Sequence, residues 1–375
     1  MNKAESLHQV LNHLKSSFID KEEIIDLMGI CLVARENLFL LGPPGTAKSA
    51  LVRGLSDCIS DGNNFEYLFT RFTEPNEIFG PFDIRKLKEG DLVTNTTGML
   101  PEASMVFLDE LFNANSAILN SLLMVLNERI FRRGRETKHI PALMFVGASN
   151  QLPEEEALDA LLDRFLVRVI CGNVDTAALE QVAKVGWKRE QGTSESPQLA
   201  SDDVRLLQKE SKSVDLNAVR TEYLSIILEL RNAGIKISDR KVVKLQSLIA
   251  ASATLSGRGV AQISDLWVLR YVWDTEDQIE ILSGIVDKHL EDINEENRHP
   301  QSEKGQKANP ELLAKELDQL SDKWENESTS TEEKVQLKDK LKLIQTRADW
   351  LDDIDKRSFL KEKIDALWQR MLEMV

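Results

Sequence analysis

Residues 38–49 read Leu38-Phe39-Leu40-Leu41-Gly42-Pro43-Pro44-Gly45-Thr46-Ala47-Lys48-Ser49, and Ala50-Leu51-Val52-Arg53-Gly54-Leu55 follows as a helical run. A short apolar run stopped by glycine reads as a buried strand, so the order is strand, loop, helix. A loop with so little side-chain bulk lets successive backbone N–H groups turn toward phosphate oxygens. The helix behind it adds the partial positive charge of its N-terminus. In such a loop Lys48 reaches the β- and γ-phosphates and the Ser49 hydroxyl coordinates Mg²⁺. One position departs from G-x-x-x-x-G-K-[ST]: Ala47 stands where the last glycine is expected, and its methyl matters if the backbone there takes a positive φ. A Gly/Pro turn with an incidental lysine is the bland alternative.

Working outward, three more apolar runs end on turn or polar residues. They are Met105-Val106-Phe107-Leu108 before Asp109, Leu143-Met144-Phe145-Val146 before Gly147, and Phe165–Ile170 before Cys171-Gly172. Runs of this kind, separated by helical patterns such as Ile118, Leu122, Val125 and Leu126, suit a mainly parallel sheet covered on both faces. The Asp109-Glu110 pair closing its run places Asp109 at the Mg²⁺ hydration shell, and Glu110 where it polarises the water attacking the γ-phosphate. Acids at an ordinary helix start are the alternative.

The 375 residues suggest two or three domains. From about residue 175 the stripes are helical: Leu179, Val182, Val185; Leu216, Val219, Tyr223, Ile226, Ile227, Leu230; and Val242, Val243, Leu245, Leu248, Ile249, with Ser238 as an N-cap. Gly192–Pro197 reads as a polar loop. Residues 275–375 carry 25 acidic and 16 basic side chains, so nine of the fifteen net negative charges lie there. Leu313, Leu317, Leu320 and Trp324, then Leu337, Leu341 and Ile344, then Phe359, Ile364, Leu367 and Met371 suggest three antiparallel helices broken at 297–309 and 327–331. A partly disordered acidic tail is the alternative there.

Lys and Arg total 47 against 62 Asp and Glu. That balance opposes a protein that mainly coats nucleic acid, though a local basic patch is compatible with it. Cys31, Cys58 and Cys171 are far apart and odd in number, which fits a reducing, cytoplasmic compartment. No apolar run approaches a membrane span, and the N-terminus lacks the pattern of a signal peptide.

Taken together, the GPPGTAKS loop, the FLDEL strand end, Gly147-Ala148-Ser149-Asn150 and Leu161-Leu162-Asp163-Arg164-Phe165 resemble an AAA+ ATPase of the MoxR family, most of all its RavA branch. The resemblance spans roughly residues 5–275. It implies an α/β fold: a P-loop NTPase domain with a parallel-sheet three-layer sandwich (1–174), an all-α lid (175–274) and an acidic C-terminal three-helix bundle (275–375). It implies ATP and Mg²⁺ as cofactors, with Gly42, Pro43, Pro44, Gly45, Thr46, Ala47, Lys48, Ser49 and Ala50 cradling the nucleotide and Ile19 against adenine. Asn150 takes the place of sensor 1, orienting the lytic water. Arg164 stands as the arginine finger reaching a neighbouring subunit, and Arg240 as the sensor-2 arginine on the γ-phosphate, with Arg231 and Arg258 as rivals. Residues 79–104 resemble the helix-2 insert and 129–141 the pre-sensor-1 hairpin. Arg129, Arg132, Arg133, Arg135 and Lys138 make that hairpin basic, able to grip a polypeptide or a nucleic-acid backbone, or merely solvated. The loop at 297–309 takes the place of a β-rich module inserted in RavA.

The resemblance implies a ring-forming, hexameric ATPase that remodels or chaperones a protein client, presented by a von Willebrand factor A-domain adaptor. A nucleic-acid motor of the same clade and an ATP-gated scaffold with little turnover are the competing readings.

Overall fold

The computed structural model describes residues 3–373 apart from 135, 154–155, 175, 192–195, 292–294, 304–309, 326–336, 339, 343, 346–347 and 349–353. Arg135, residues 192–195 of the polar loop, 304–309 of the loop at 297–309 and the break at 327–331 therefore lie outside the described residues.

Five strands form one parallel sheet: β1 (Leu38–Leu41), β2 (Asn64–Leu68), β3 (Met105–Asp109), β6 (Met144–Ser149) and β7 (Val167–Ile170). Their order is β2-β3-β6-β1-β7. The remaining strands, β4 (Ile130–Arg133) and β5 (Glu136–His139), pair antiparallel as a separate hairpin. Leu38 sits opposite Val146 on one side and Val167 on the other, which makes β1 an interior strand. All four of its residues are buried, as an interior strand covered on both faces requires. The second strand, by contrast, alternates exposed and buried residues because it lies at the sheet edge.

Ser116–Glu128 forms a helix with Ile118, Leu122, Val125 and Leu126 buried, capped by the Asn115 side chain on the Ile118 N–H. Helices Lys3–Ser17 and Glu22–Ala34 pack on one another and on Ser201–Ser211. Beyond residue 178 the described regular structure is helical: Leu179–Glu190, Ser201–Ser211, Arg220–Asn232, Asp239–Leu255, a 3₁₀ stretch Ile263–Tyr271 and Ile279–Leu290. Ser238 accepts from the Lys241 N–H and caps Asp239–Leu255. Val243, expected on the apolar stripe of that helix, is 69% exposed, because at 3.6 residues per turn it lies opposite the buried Leu245–Leu248–Ile249 face.

A second core is separate from the first. Leu313, Leu317, Leu320 and Trp324 bury with Leu337, Leu341, Ile344, Leu360, Ile364, Leu367 and Met371. Helix Ile354–Glu373 turns Leu360 inward, so the stripe expected to begin at Phe359 begins one residue later and Phe359 is exposed. Among the described residues no helix is long and apolar enough to cross a membrane.

Candidate nucleotide site

The loop between β1 and helix Lys48–Asp57 runs along the carboxyl edge of the sheet. Gly42 lies so close to the next strand that a Cβ there would meet the Cys171 carbonyl oxygen at 2.1 Å, so only glycine fits. Gly45 has φ +84° and open space around its Cα. Ala47 has φ +70°, so the position does need the left-handed conformation and the alanine carries its cost. Thr46 closes the turn by donating to the Pro43 carbonyl at 2.9 Å, and Cys171 Sγ donates to the Thr46 carbonyl at 3.1 Å. Burial pushes the Cys171 thiol up, which keeps it a protonated donor.

Lys48 is 6% exposed. Its Nζ donates to the carbonyls of Gly42 and Pro43 and, at 3.2 Å, to Asn150 Oδ1. Ser49 Oγ donates to Asp109 Oδ2 at 3.3 Å. A hydroxyl facing a carboxylate offers hard oxygen ligands that suit Mg²⁺, so this pair fits the ion. Glu110 follows at φ +50°, a strained non-glycine conformation at the strand end, with its N–H on Asp109 Oδ1 at 3.0 Å. Burial first and the Asp109 charge second raise the Glu110 carboxyl above its ordinary value, while Lys48 and the Asn150 main chain oppose the rise. Lys48, Ser49, Asp109, Glu110 and Asn150 thus converge where β1, β3 and β6 end.

Beside the loop is a largely apolar cleft of about 290 Å³, lined by Phe18, Ile19, Ala47, Val174, Val182 and Val185 among others. Its apolar walls are of the kind common to small-molecule pockets. Ile19 is thereby brought to the loop. Lys21, which donates to the Gly172 carbonyl at 2.7 Å, and Arg189, over the Phe18 ring at 4.6 Å, were not singled out from the sequence.

Arg164 and Arg240 are not brought there. Arg164 precedes β7, and its carbonyl accepts from Asn37 Nδ2 at 2.8 Å, just before β1 begins. That is the amino edge of the sheet, opposite the phosphate loop. Arg240 donates to Asn127 at the end of helix Ser116–Glu128, whose Leu126 carbonyl also accepts from Asn37. Burial first and the neighbouring Arg240 second lower the pKa of Arg164. The rivals are engaged elsewhere: Arg231 holds Ile237 O and Asp239, and Arg258 holds the fully buried Asp265.

The basic hairpin is less available than its composition implied. Arg129 caps the preceding helix in the left-handed conformation, donating to Ala142 O and Arg35 O, and burial pushes its pKa down to about 9. Arg133 holds Gly80 O and Asn76 and covers the Phe82 ring at 3.8 Å, and Lys138 holds Thr96 and Glu102. These side chains tie the hairpin to residues 76–102.

A parallel sheet of this order, with a phosphate loop after its inner strand and a helical lid, defines an AAA+ P-loop fold. The chain belongs to the MoxR family: the model of the MoxR domain in MoxR-vWA-beta-propeller ternary systems matches residues 5–209, and an AAA lid model matches 215–286. It is 38% identical over 274 residues to the uncharacterized protein MJ0812 of Methanocaldococcus jannaschii, covering 72% of each chain. It is 25% identical over 172 residues to the chaperone MoxR1 of Mycobacterium tuberculosis, covering 44% of each. The crystal structure of a candidate ATPase from Cytophaga hutchinsonii shares the fold with a TM-score of 0.62 at 16% identity, over 78% of this chain and 95% of that one.

Proposed function

We propose that this chain binds ATP with Mg²⁺ between its phosphate loop and the Ile19 cleft and hydrolyses it as a member of a ring. The observation that carries this reading is the split of the charged groups. Lys48, Ser49, Asp109, Glu110 and Asn150 share the carboxyl edge of the sheet, and Arg164 and Arg240 share the amino edge. One copy then supplies the pocket and the next supplies the arginines.

In that arrangement the Gly42–Ala50 backbone and Lys48 bind the phosphates, and Ser49 and Asp109 hold Mg²⁺, which supplies charge neutralisation at the phosphates. Glu110 takes the proton of the attacking water, Asn150 orients that water, and Arg164 of the adjoining copy neutralises transition-state charge. Arg240 acts from the same copy as Arg164, since it faces away from its own loop.

The family model's own description names vWA and β-propeller partners, which supports a von Willebrand factor A-domain protein as adaptor for a protein client. We infer the RavA branch within the family only from the resemblance of the sequence motifs, the GPPGTAKS loop and the FLDEL strand end among them. Residues 1–174 serve as catalytic body, 175–274 as lid and 275–375 as a docking or assembly module. The nucleic-acid motor reading loses support because Arg129, Arg133 and Lys138 are consumed within the chain.

The test mixes Lys48→Ala with Arg164→Ala protein. Each is inactive alone, and the mixture recovers part of the ATP turnover because wild-type half-sites re-form. No recovery, with assembled rings present by sizing, overturns the shared site. A Glu110→Gln trap used in pull-downs with a vWA protein then tests the adaptor.

A further inference from the structure

Five charged side chains link the lid to the amino edge of the sheet. Arg168 lies on β7 and is 1% exposed. Its Nη2 donates to Leu162 O at 3.0 Å, and its Nη1 donates to Trp273 O and, at 2.9 Å, to Asp274 Oδ1. The same Asp274 oxygen accepts from Lys241 Nζ at 2.7 Å. Lys241, 7% exposed on helix Asp239–Leu255, also pairs with Asp163 Oδ1 at 3.2 Å. The other oxygen of Asp163, Oδ2, meets Arg164 Nη1 at 3.2 Å.

The geometry fixes the segment before β7 at two points. Arg168 holds its main chain at Leu162, and Lys241 holds the Asp163 carboxylate. With one carboxylate oxygen held by Lys241, the other faces Arg164. Arg164 needs that restraint, because Arg240 beside it repels it and its Nε is buried without a hydrogen-bond partner. An ion pair at the surface contributes little, but one whose partner is clamped from behind loses less side-chain freedom on forming.

We propose that Lys241, anchored by Asp274 and Arg168, is a positioning residue that holds Asp163 and through it aims Arg164, so that the lid of one copy sets the finger offered to the next. This rests on the reading of Arg164 as a group acting across subunits. Lys241 belongs to the lid helix and Arg164 to the sheet edge. A lid movement that withdraws Lys241 frees Asp163 and lets Arg164 swing off line, which couples the nucleotide-dependent pose of one lid to hydrolysis next door.

The experiment uses full-length chains in the two-variant mixture. Lys48→Ala donates the finger and Arg164→Ala provides the pocket. Placing Lys241→Met on the donating chain lowers the recovered turnover at least tenfold. Placing it on the pocket chain, as Arg164→Ala with Lys241→Met, leaves recovery within about twofold, because that chain's finger is already gone. Lys241→Arg on the donating chain restores part of the rate. Asp163→Asn, at a half-exposed position that does not threaten folding, reproduces the donor-side loss. Equal losses in both placements assign Lys241 a merely structural role and overturn the proposal, as does full recovery with the substituted donor. A parent mixture that fails to recover at all strikes the finger reading itself and this proposal with it, whereas donor-side indifference in a mixture that does recover strikes the proposal alone.

Discussion

Lys48 Nζ lies 3.2 Å from Asn150 Oδ1 while also donating to the carbonyls of Gly42 and Pro43. The ammonium is thus held by the loop's own acceptors, at the place a phosphate would take over. A nucleotide offers anionic phosphate oxygens in exchange for neutral carbonyls, which adds a charge–charge attraction to each bond the ammonium makes. Lys48→Ala is expected to weaken Mg-ATP affinity at least tenfold by calorimetry. Asn150→Ala should keep affinity within about threefold while turnover falls about 100-fold, since an orienting group acts in the transition state. Equal losses of affinity in the two variants would contradict this division of labour.

Glu110 is held in an unfavourable place for a carboxylate. Burial and Asp109 raise its pKa, so the fold favours the protonated form. A carboxyl whose folded pKa lies above its unfolded one is no burden below the unfolded pKa, and it costs stability as pH rises through the window and it ionises. Glu110→Gln should therefore melt higher than the parent at pH 7 and at the same temperature near pH 4. Turnover should drop by about 10²–10⁴-fold, the range of a lost general base. In the parent, the acid limb of turnover should fall at a pH above the ordinary Glu range. A Glu110→Gln protein less stable than the parent at pH 7 would remove the argument.

Ala47 has φ +70° at the start of the helix that carries Lys48. A left-handed L-residue costs roughly 1–2 kcal/mol, and glycine removes that cost but adds about 0.4–1 kcal/mol of unfolded-state entropy. Ala47→Gly should thus be neutral to about 1.6 kcal/mol stabilising in urea melts and keep turnover. Ala47→Val puts a branched side chain in the same conformation and should destabilise by at least 1 kcal/mol with loss of nucleotide affinity. A destabilised glycine variant would show that the alanine methyl is packed to advantage.

The strands on either side of the phosphate loop and the residues at their ends were legible because each carries local signals: an apolar run, a stop and a charged or polar group directly after it. What was not legible is where separate ends meet. The cleft beside Ile19 needs Val182 and Val185 from beyond residue 178, and sequence spacing says nothing of that approach. Arg240 lies far in sequence from Asn127 and Arg164, and only the packing of the lid places it at the amino edge. Which charges of the basic hairpin have partners was not legible either, because composition counts charges alone; the acceptors of Arg133 and Lys138 are main-chain and side-chain oxygens 36 to 57 positions earlier. One signal was present but unused. Arg168 interrupts an otherwise apolar strand run, and an arginine buried in a sheet needs acid and carbonyl partners from elsewhere.

His299 makes the fold sensitive to acid. Its ring stacks on Trp267 with centroids 4.7 Å apart, and its Nδ1 accepts from the Gln301 N–H at 3.2 Å, so the neutral tautomer is the one that fits. Burial pushes its pKa down to about 4 from 6.5, against the pull of nearby Asp26 and with the push of Lys15. A histidine depressed in the folded state lets the unfolded chain take up the proton first, so stability is full above about 6.5 and is lost as pH falls toward 4. At about 1.4 kcal/mol per unit the loss approaches about 3 kcal/mol across that window. His299→Phe keeps a ring against Trp267 and cannot be protonated, so urea midpoints measured at pH 7 and pH 5 should converge relative to the parent. Carboxylates titrating in the same range act on both proteins alike, which makes the difference between them the informative quantity. Identical slopes in parent and variant would place the acid sensitivity in other groups.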